Sequence, residues 1–231
     1  MKIAIGFDFD HTLGTDGHLE RRAFGLLAGQ LGVAIDVDDP ITHDLIESML
    51  VPFRAAEESM ASMMARFAAT LPNADPRGAN GEELAARFRQ ICYDLVDRVV
   101  EPMPGASECI SKLVAAGIPV GILTNGWSQL QERKIAHALG DFPGPVLVSD
   151  TLNAYKPSAR AFRELEAALG VDPSHLWYVG DNPAADIAGA LAYGIRAVWV
   201  NSSGQTYPED LPPPTAVIEH LDALAAIVRG A

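Results

Sequence analysis

The sequence predicts an α/β fold in which a doubly wound parallel sheet carries an inserted all-helical segment. From about residue 103 onward, short and wholly apolar runs alternate with amphipathic helical segments, which indicates stacked βα units. Residues 2–9 form one more strand-like run at the start of the chain, whereas residues 14–102 contain none. Strands that are apolar on both faces are typical of a parallel sheet covered by helices.

Helical periodicity dominates residues 14–102. One predicted helical face consists of apolar side chains at helical spacing, namely Phe53, Ala56, Met60, Met63, Met64, Phe67 and Leu71. Residues 72–81 are rich in Pro, Asn and Gly, which predicts a loop, and residues 82–100 are predicted to form another helix. The chain rejoins the sheet near residues 101–105, so the helical segment is expected to be an insertion.

Four helix–strand units, and then a final strand and helix within residues 216–228, are predicted after the insertion. The helices are expected at residues 106–114, 128–139, 158–169 and 184–193, and the strands that follow them at residues 118–123, 146–148, 176–179 and 197–200. Together with the first strand, these units predict a Rossmann-like core.

Local signals mark several helix ends. Ser128 and Gln131 have the spacing of a capping box, while Asn182 can cap a helix that has Pro183 at its first position. The first three of these helices are each followed by a glycine that can adopt the left-handed conformation of a helix end, namely Gly117, Gly140 and Gly170.

The composition excludes several classes of function. Apolar residues make up 48% of the 231 residues and charged residues 20%, which is typical of a folded globular chain. The 17 basic residues are outnumbered by 30 acidic ones, and the net charge of −13 disfavours nucleic acid and anionic membrane surfaces as partners. The two cysteines, Cys92 and Cys109, lack the spacing of a zinc site or of a disulfide framework.

The chain is expected to be cytoplasmic. Its N-terminal apolar run is too short, and is followed too soon by acidic residues, for a signal peptide, and no run reaches the length of a membrane span. The sparse cysteines favour a reducing compartment. No sequence feature indicates an oligomeric state.

Acidic side chains follow two predicted strands at their carboxyl ends, where ligands bind in open α/β sheets. Because side chains alternate along an extended chain, the carboxylates of Asp8 and Asp10 face one side while Phe9 faces the core. Two anions held together need a cation, and Asp181 supplies a third carboxylate after a later strand. Ligation by oxygen alone favours Mg²⁺ over zinc.

Candidate phosphate-binding groups follow the other strand ends. Thr124 and Asn125 offer hydroxyl and amide donors, and Lys156 offers a positive charge suited to a phosphate oxygen. Carboxylates, a divalent metal and phosphate donors together describe phosphoryl transfer. Asp8 and Asp10 have the spacing of a carboxylate nucleophile and of an acid that protonates the leaving alkoxide and then activates water. A nucleotide-binding P-loop pattern does not occur in the sequence, which disfavours kinases and ATPases of that class.

The sequence contains only four lysines, and one of them differs from the others in its position. Lys2 lies at a strand start, and Lys112 and Lys134 lie inside predicted helices, whereas Lys156 follows a strand. Lys156 alone is therefore predicted to join the site.

These motifs, in this order, resemble those of the haloacid dehalogenase (HAD) superfamily of phosphohydrolases, of the type with a helical cap inserted after the first motif. The resemblance covers residues 2–13 and about 103–205, whereas the cap is similar only in position and helical character. The segments that carry it are Asp8-Phe9-Asp10-His11-Thr12, Thr124-Asn125-Gly126, Tyr155-Lys156-Pro157, and Gly180-Asp181 followed by Asp186.

The resemblance implies a role for each of these side chains. Asp8 would be the nucleophile, and Asp10 would be the general acid/base, with its backbone carbonyl on Mg²⁺. Thr124 and Lys156 would hold the phosphate. Asp181 would bind the metal.

The resemblance also implies that Asp186 supports the metal site or binds Mg²⁺ through water. Residues 1–13 and 103–231 would form the core domain, and residues 14–102 would form the cap domain. The substrate would be a small phosphorylated metabolite or a nucleotide.

Three other functions are open at this point. A hydrolytic dehalogenase would use Asp8 against carbon and would need neither a metal nor a second acid, so Asp10 disfavours it. A phosphosugar mutase would use the same groups and return the phosphoryl group to the sugar. A phosphoacceptor signalling module also uses Asp, Thr, Lys and a metal, but the long helical insertion favours an enclosure for a substrate.

Overall fold

The computed structural model describes residues 3–54, 57–72 and 80–229. The chain divides into two compact units. One unit comprises Met1–Asp16 and Glu101–Ala231, and the other comprises Gly17–Val100.

The first unit is built on a parallel sheet. The described residues contain eight strands, β1 (Ala4–Phe7), β2 (Gly14–Thr15), β3 (Glu101–Pro102), β4 (Val120–Thr124), β5 (Val146–Val148), β6 (Leu176–Gly180), β7 (Arg196–Val200) and β8 (Ala216–Ile218). Six of them form one sheet in the order β5-β4-β1-β6-β7-β8, and every neighbouring pair is parallel. Connections run outward from β1 in both directions, so a ligand crevice is expected beside the carboxyl end of β1.

The described residues also contain ten α-helices, α1 (Leu19–Gln30), α2 (Pro40–Arg54), α3 (Met60–Thr70), α4 (Gly81–Val99), α5 (Ala106–Ala115), α6 (Ser128–Leu139), α7 (Ser149–Leu152), α8 (Ala159–Leu169), α9 (Gly189–Tyr193) and α10 (Leu224–Arg229). Positive φ angles of 72°, 66° and 64° at Gly117, Gly140 and Gly170 confirm the predicted helix ends. The predicted fold class, a doubly wound parallel sheet with an inserted helical segment, is confirmed.

Burial on both faces of the central strands accounts for their unbroken apolar sequences. Every residue of β1, β4 and β6 is buried. On one face, Phe162 of α8 meets Tyr178 of β6 edge to face, with ring centroids 5.2 Å apart. Burying one large apolar side chain contributes about 1.5–3 kcal/mol. Because water reaches neither face of these strands, polar side chains are concentrated at the strand ends.

Two short strands at the borders of the helical segment correct the sequence interpretation that residues 14–102 contain no strand. Strand β2 pairs antiparallel with β3, with Gly14 opposite Pro102 and Thr15 opposite Glu101. Two residues are too few for an alternating pattern to show. The pairing also joins positions 86 residues apart, so only the folded chain brings them together.

The helix predicted after Asn182 is confirmed in part. The Asn182 side chain caps the turn as expected, because its Oδ1 accepts hydrogen bonds from the backbone N–H groups of Ala184 and Ala185 at 3.0 and 2.9 Å. However, Pro183–Ala188 is a π-helical segment, and α9 begins only at Gly189. Such wide turns are often found at functional sites, and this one contains Asp186.

The helical unit, α1–α4, has an aromatic core. Phe24 of α1 lies edge to face with Phe67 of α3 and tilted against Phe88 of α4, with ring centroids 4.7 and 4.9 Å apart. Met63 and Met64 are fully buried in the same unit. Among the helices of the described residues, none is both long enough and apolar enough to cross a membrane.

The single apolar helical face predicted across residues 53–71 is divided between two helices. Helix α2 ends at Arg54 and α3 begins at Met60. Ser59 starts the second helix, because its Oγ accepts a hydrogen bond from the Ser62 backbone N–H at 3.1 Å. Ala56, and residues 73–79 of the predicted loop, lie outside the described residues.

Candidate active site

The sequence-predicted site residues lie at the carboxyl ends of neighbouring strands. Asp8 directly follows β1, Thr124 ends β4, and Asp181 directly follows β6. The structure brings Asp8 and Asp181 together with Asp186, and it places the ammonium group of Lys156 among these carboxylates.

Three carboxylates form a compact cluster. One oxygen from each of Asp8, Asp181 and Asp186 lies within 4.8 Å of the others, and Asp186 is fully buried. Burial raises the pKa of Asp181 to about 8, and the nearby charge of Asp8 adds to this effect. Burial also raises the pKa of Asp8 to about 6, although Lys156 opposes the shift. The cluster therefore favours a cation, and its oxygen donors could hold a divalent metal.

A glycine makes room for the buried carboxylate. A Cβ atom added at Gly180, the last residue of β6, would lie 2.4 Å from Oδ2 of Asp186. The same oxygen accepts a hydrogen bond from the Asn182 backbone N–H at 3.0 Å. The loop after β6 therefore wraps tightly around Asp186 and fixes its orientation.

Lys156 is the central cation of this cluster. Its Nζ lies 2.7 Å from Oδ1 of Asp8 and 2.8 Å from Oδ1 of Asp186, and it donates a hydrogen bond to the hydroxyl of Tyr178 at 3.0 Å. Burial by itself would lower the pKa of Lys156, but the charges of Asp186 and Asp8 raise that pKa well above its ordinary value. Lys156 is therefore charged at neutral pH. The Tyr178 hydroxyl donates a hydrogen bond to the Leu123 carbonyl at 2.6 Å. It is therefore the acceptor in its hydrogen bond with Lys156.

Asn125 holds the backbone of Lys156. Its Oδ1 accepts a hydrogen bond from the Lys156 backbone N–H at 2.9 Å, and its Nδ2 donates to the Lys156 carbonyl at 3.0 Å. The side chain thus positions the lysine in the structure, and direct phosphate binding by Asn125 stays a prediction. The hydroxyl of Thr124 is buried and accepts a hydrogen bond from Nε2 of Gln131 at 2.7 Å.

Asp10 lies beside the cluster and has its own partners. Nε2 of Gln131 donates to Oδ2 of Asp10 at 2.8 Å, and Nζ of Lys134 forms an ion pair with Oδ1. Although burial by itself raises the pKa of Asp10, the Lys134 ammonium and these hydrogen bonds lower it below its ordinary value. Asp10 is therefore an ionised carboxylate in this arrangement.

Two sequence interpretations of α6 are corrected by these contacts. Ser128 and Gln131 do not form a capping box, since Trp127 occupies the N-cap position and the Gln131 amide points to Asp10. Lys134, which the sequence placed outside the site, contacts Asp10. Their spacing of three residues puts both side chains on one helix face, but the sequence alone does not show which face meets the site.

Comparison with known proteins agrees with this geometry. Residues 4–194 match the family model described as haloacid dehalogenase-like hydrolase. The chain belongs to this family. In this hydrolase, the helical segment is inserted between β1 and β4, as the resemblance implied.

Individual relatives of the hydrolase include both phosphatases and dehalogenases. Phosphoserine phosphatase of Thermus thermophilus is 38% identical over 108 residues, which cover 46% of this chain and 43% of that protein. (S)-2-haloacid dehalogenase of Pseudomonas sp. strain YL is 30% identical over 152 residues, which cover 65% of each chain. The hydrolase therefore spans less than two thirds of the length of either relative.

A solved structure matches the hydrolase over nearly its whole length. The crystal structure of the HAD-hydrolase YfnB from Bacillus subtilis bound to magnesium has a TM-score of 0.78 at 22% sequence identity, and the match covers 98% of each chain. This similarity supports the fold.

Without a divalent cation, Asp181→Asn is expected to raise the unfolding temperature by about 2–4 °C at pH 8, the shift that 1 kcal/mol produces in a chain of this size. Folding raises the pKa of Asp181 from 3.8 to about 8, so the folded protein binds more protons than the unfolded chain between these pH values. The free energy of unfolding therefore falls as the pH rises through this interval. Thermal unfolding in EDTA at pH 5 and pH 8 measures the effect, which should be small at pH 5.

With Mg²⁺ present, wild type is expected to unfold at a higher temperature than Asp181→Asn. A cation that binds only the folded protein stabilises it by about 2.7 kcal/mol at 100 times its Kd, and the variant lacks one of the ligands. Asp172→Asn is the matched control, because Asp172 is exposed and precedes β6 at its other end. If Mg²⁺ stabilised wild type and Asp181→Asn equally, Asp181 would not belong to the metal site.

Proposed function

We propose that this hydrolase removes the phosphoryl group from a small phosphorylated metabolite or a nucleotide, with Asp8 as the nucleophile and Mg²⁺ as the cofactor. The position of the Asp8 carboxylate carries the proposal, because it lies 2.7 Å from the Lys156 ammonium and belongs to a cluster of three carboxylates. A carboxylate nucleophile beside a cation that can hold a phosphate oxygen suits attack on phosphorus.

The reaction proceeds in two displacements on phosphorus. In the first, an oxygen of Asp8 bonds to phosphorus and the bond to the leaving oxygen breaks. Asp10, which is ionised before the substrate arrives, takes up a proton as the substrate binds and donates it to the leaving oxygen. In the second, water attacks the phosphorus of the aspartyl-phosphate, Asp10 accepts a proton from the water, and the bond to Asp8 breaks to release phosphate.

Lys156 has two roles in the proposed reaction. It balances the negative charge of Asp8 and Asp186 before the substrate arrives, and it attracts an oxygen of the transferring phosphoryl group. Thr124 offers a hydroxyl at the end of β4, and Asn125 holds the lysine backbone in place. These groups position the phosphoryl group against Asp8.

The donor set fits Mg²⁺. Asp8 and Asp181, together with the backbone carbonyl of Asp10, would hold the ion, and Asp186 would support it directly or through water. Three clustered carboxylates beside one buried ammonium carry an excess of negative charge, and their oxygen atoms are the ligands that Mg²⁺ prefers. When bound, the ion neutralises charge on the phosphoryl oxygens.

Two further facts bear on the choice between phosphatase and dehalogenase. The relatives include a phosphoserine phosphatase, which acts on a small phosphomonoester, and a 2-haloacid dehalogenase. A dehalogenase needs no second acid, whereas Asp10 is held beside the cluster by two side chains of α6. The phosphatase is therefore the function that this site supports best.

One pair of assays tests the proposal. Phosphate release is measured from 4-nitrophenyl phosphate and from a panel of nucleotides, phosphosugars and phosphoserine, with Mg²⁺ and with EDTA. Halide release is measured from 2-chloropropionate under the same conditions. We expect Mg²⁺-dependent phosphate release and no halide release. Halide release without phosphate release would establish the dehalogenase instead, and phosphate release that is unchanged in EDTA would exclude the metal.

A further inference from the structure

Two polar side chains of α6 are buried against Asp10 although the proposed mechanism assigns them no step. Gln131 and Lys134 are only 2% and 4% exposed, and they lie on one face of the helix, three residues apart. Glu132 and Arg133, which stand between them in the sequence, are exposed. The inward-facing positions of a helix like this one normally hold apolar residues.

Burial of an ammonium group is costly unless a partner compensates its charge. Lys134 forms an ion pair with Oδ1 of Asp10, and the same Nζ lies 5.8 Å from the centre of the Phe9 ring. An apolar side chain at this position would avoid the cost of burying a charge. The contact with Asp10 therefore accounts for a lysine here.

Gln131 connects Asp10 to Thr124 and Asn125 at the carboxyl end of β4. Its Nε2 lies 2.8 Å from Oδ2 of Asp10, 2.7 Å from Oγ1 of Thr124 and 3.1 Å from the Asn125 carbonyl. One amide group thus holds the candidate acid/base and the end of β4 in a fixed relation. Oδ2 of Asp10 accepts a hydrogen bond from Gln131 and Oδ1 forms an ion pair with Lys134, so rotation of the carboxylate would break both contacts.

We propose that Gln131 and Lys134 are positioning residues that hold the Asp10 carboxylate in the orientation required for proton transfer. The inference rests on the proposed phosphatase function, because it concerns the group that exchanges a proton with the leaving oxygen and with water. A displacement of about 1 Å can cost 10²-fold in rate, so loss of either donor should act mainly on kcat.

A double-mutant cycle tests this inference. Gln131→Leu and Lys134→Met are made in wild type and in Asp10→Asn, and kcat and KM are measured with 4-nitrophenyl phosphate and Mg²⁺. In wild type, each change is expected to lower kcat about 10- to 100-fold with KM within about threefold. In Asp10→Asn, the same changes should alter kcat less than about threefold, because the group through which they act is gone.

Matched controls are available on the same helix. Gln129→Leu makes the same change as Gln131→Leu, and Arg133→Met likewise replaces a cationic side chain by methionine. Both positions are exposed on α6, and both variants are expected to leave kcat unchanged. Thermal unfolding of every variant shows whether it is folded at the assay temperature. If Lys134→Met does not fold, Gln131→Leu still decides the result, since it removes no charge.

The possible outcomes separate the two claims. If wild type releases phosphate and the losses are equal in both backgrounds, Gln131 and Lys134 act independently of Asp10 and the inference is wrong. Full activity of both single variants would overturn it as well. If wild type releases no phosphate with Mg²⁺, the proposed function itself fails, and the inference fails with it.

Discussion

Asp8→Asn is expected to lower phosphate release by about 10⁴-fold or more, because an uncharged amide cannot form the aspartyl-phosphate. The other carboxylate in contact with Lys156, that of Asp186, is fully buried. The assay is release of inorganic phosphate from 4-nitrophenyl phosphate in the presence of Mg²⁺. A second measurement uses fluoroberyllate, which mimics a phosphoryl group on a carboxylate. It should bind to wild type and not to the variant.

The folded state of this variant should be at least as stable as that of wild type. Burial and neighbouring carboxylates raise the pKa of Asp8, so the protein gains little from its negative charge, and Lys156 keeps Asp186 as a partner. Asp172→Asn at an exposed position is the control and should retain full activity. Activity of Asp8→Asn within tenfold of wild type would contradict covalent catalysis by this residue.

Lys156→Met is expected to reduce both activity and stability. Without the ammonium, Asp186 is a fully buried carboxylate that has lost its countercharge, which costs about 3–5 kcal/mol. Loss of one preorganised charge that stabilises the transition state lowers kcat by about 10²–10³-fold. Urea unfolding and phosphate release measure the two effects separately.

A double variant shows that these two effects have different causes. Lys156→Met/Asp186→Asn removes both members of the buried ion pair, so its unfolding midpoint should lie above that of Lys156→Met. Its activity should stay as low, because the phosphoryl group still lacks its cation. Lys112→Met, which removes an exposed lysine on α5, is the control and should change neither property. Recovery of activity together with stability would mean that Lys156 has only a structural role.

The order of strands and helices in the core could be predicted because each core element has a strong local signal. The central strands β1, β4 and β6 are buried on both faces, so they are unbroken apolar runs, and glycines with positive φ angles follow three of the helices. Strands β2 and β3 escaped prediction because two residues give no periodicity. The prediction of one helical face across residues 53–71 was wrong because the apolar side chains keep a helical spacing although α2 ends at Arg54 and α3 begins at Met60.

The site residues that could be predicted from the sequence are those that lie at the carboxyl ends of strands. Asp8, Thr124 and Asp181 follow β1, β4 and β6, and adjacent parallel strands bring their carboxyl ends together. The roles assigned to these residues stay proposals until the variants are assayed. Gln131 was misinterpreted because a glutamine three residues after a serine has the same spacing whether it caps a helix or faces inward.

Local patterns, and motifs in a fixed order, were enough to predict the fold class, the family and the strand ends at which the carboxylates lie. The tertiary structure was needed to see which polar side chains meet. It showed that Asn125 holds the backbone of Lys156 and that Gln131 and Lys134 contact Asp10. A side chain's partner depends on the rotation of its helix and on residues distant in the chain, and Asp10 and Gln131 lie 121 positions apart.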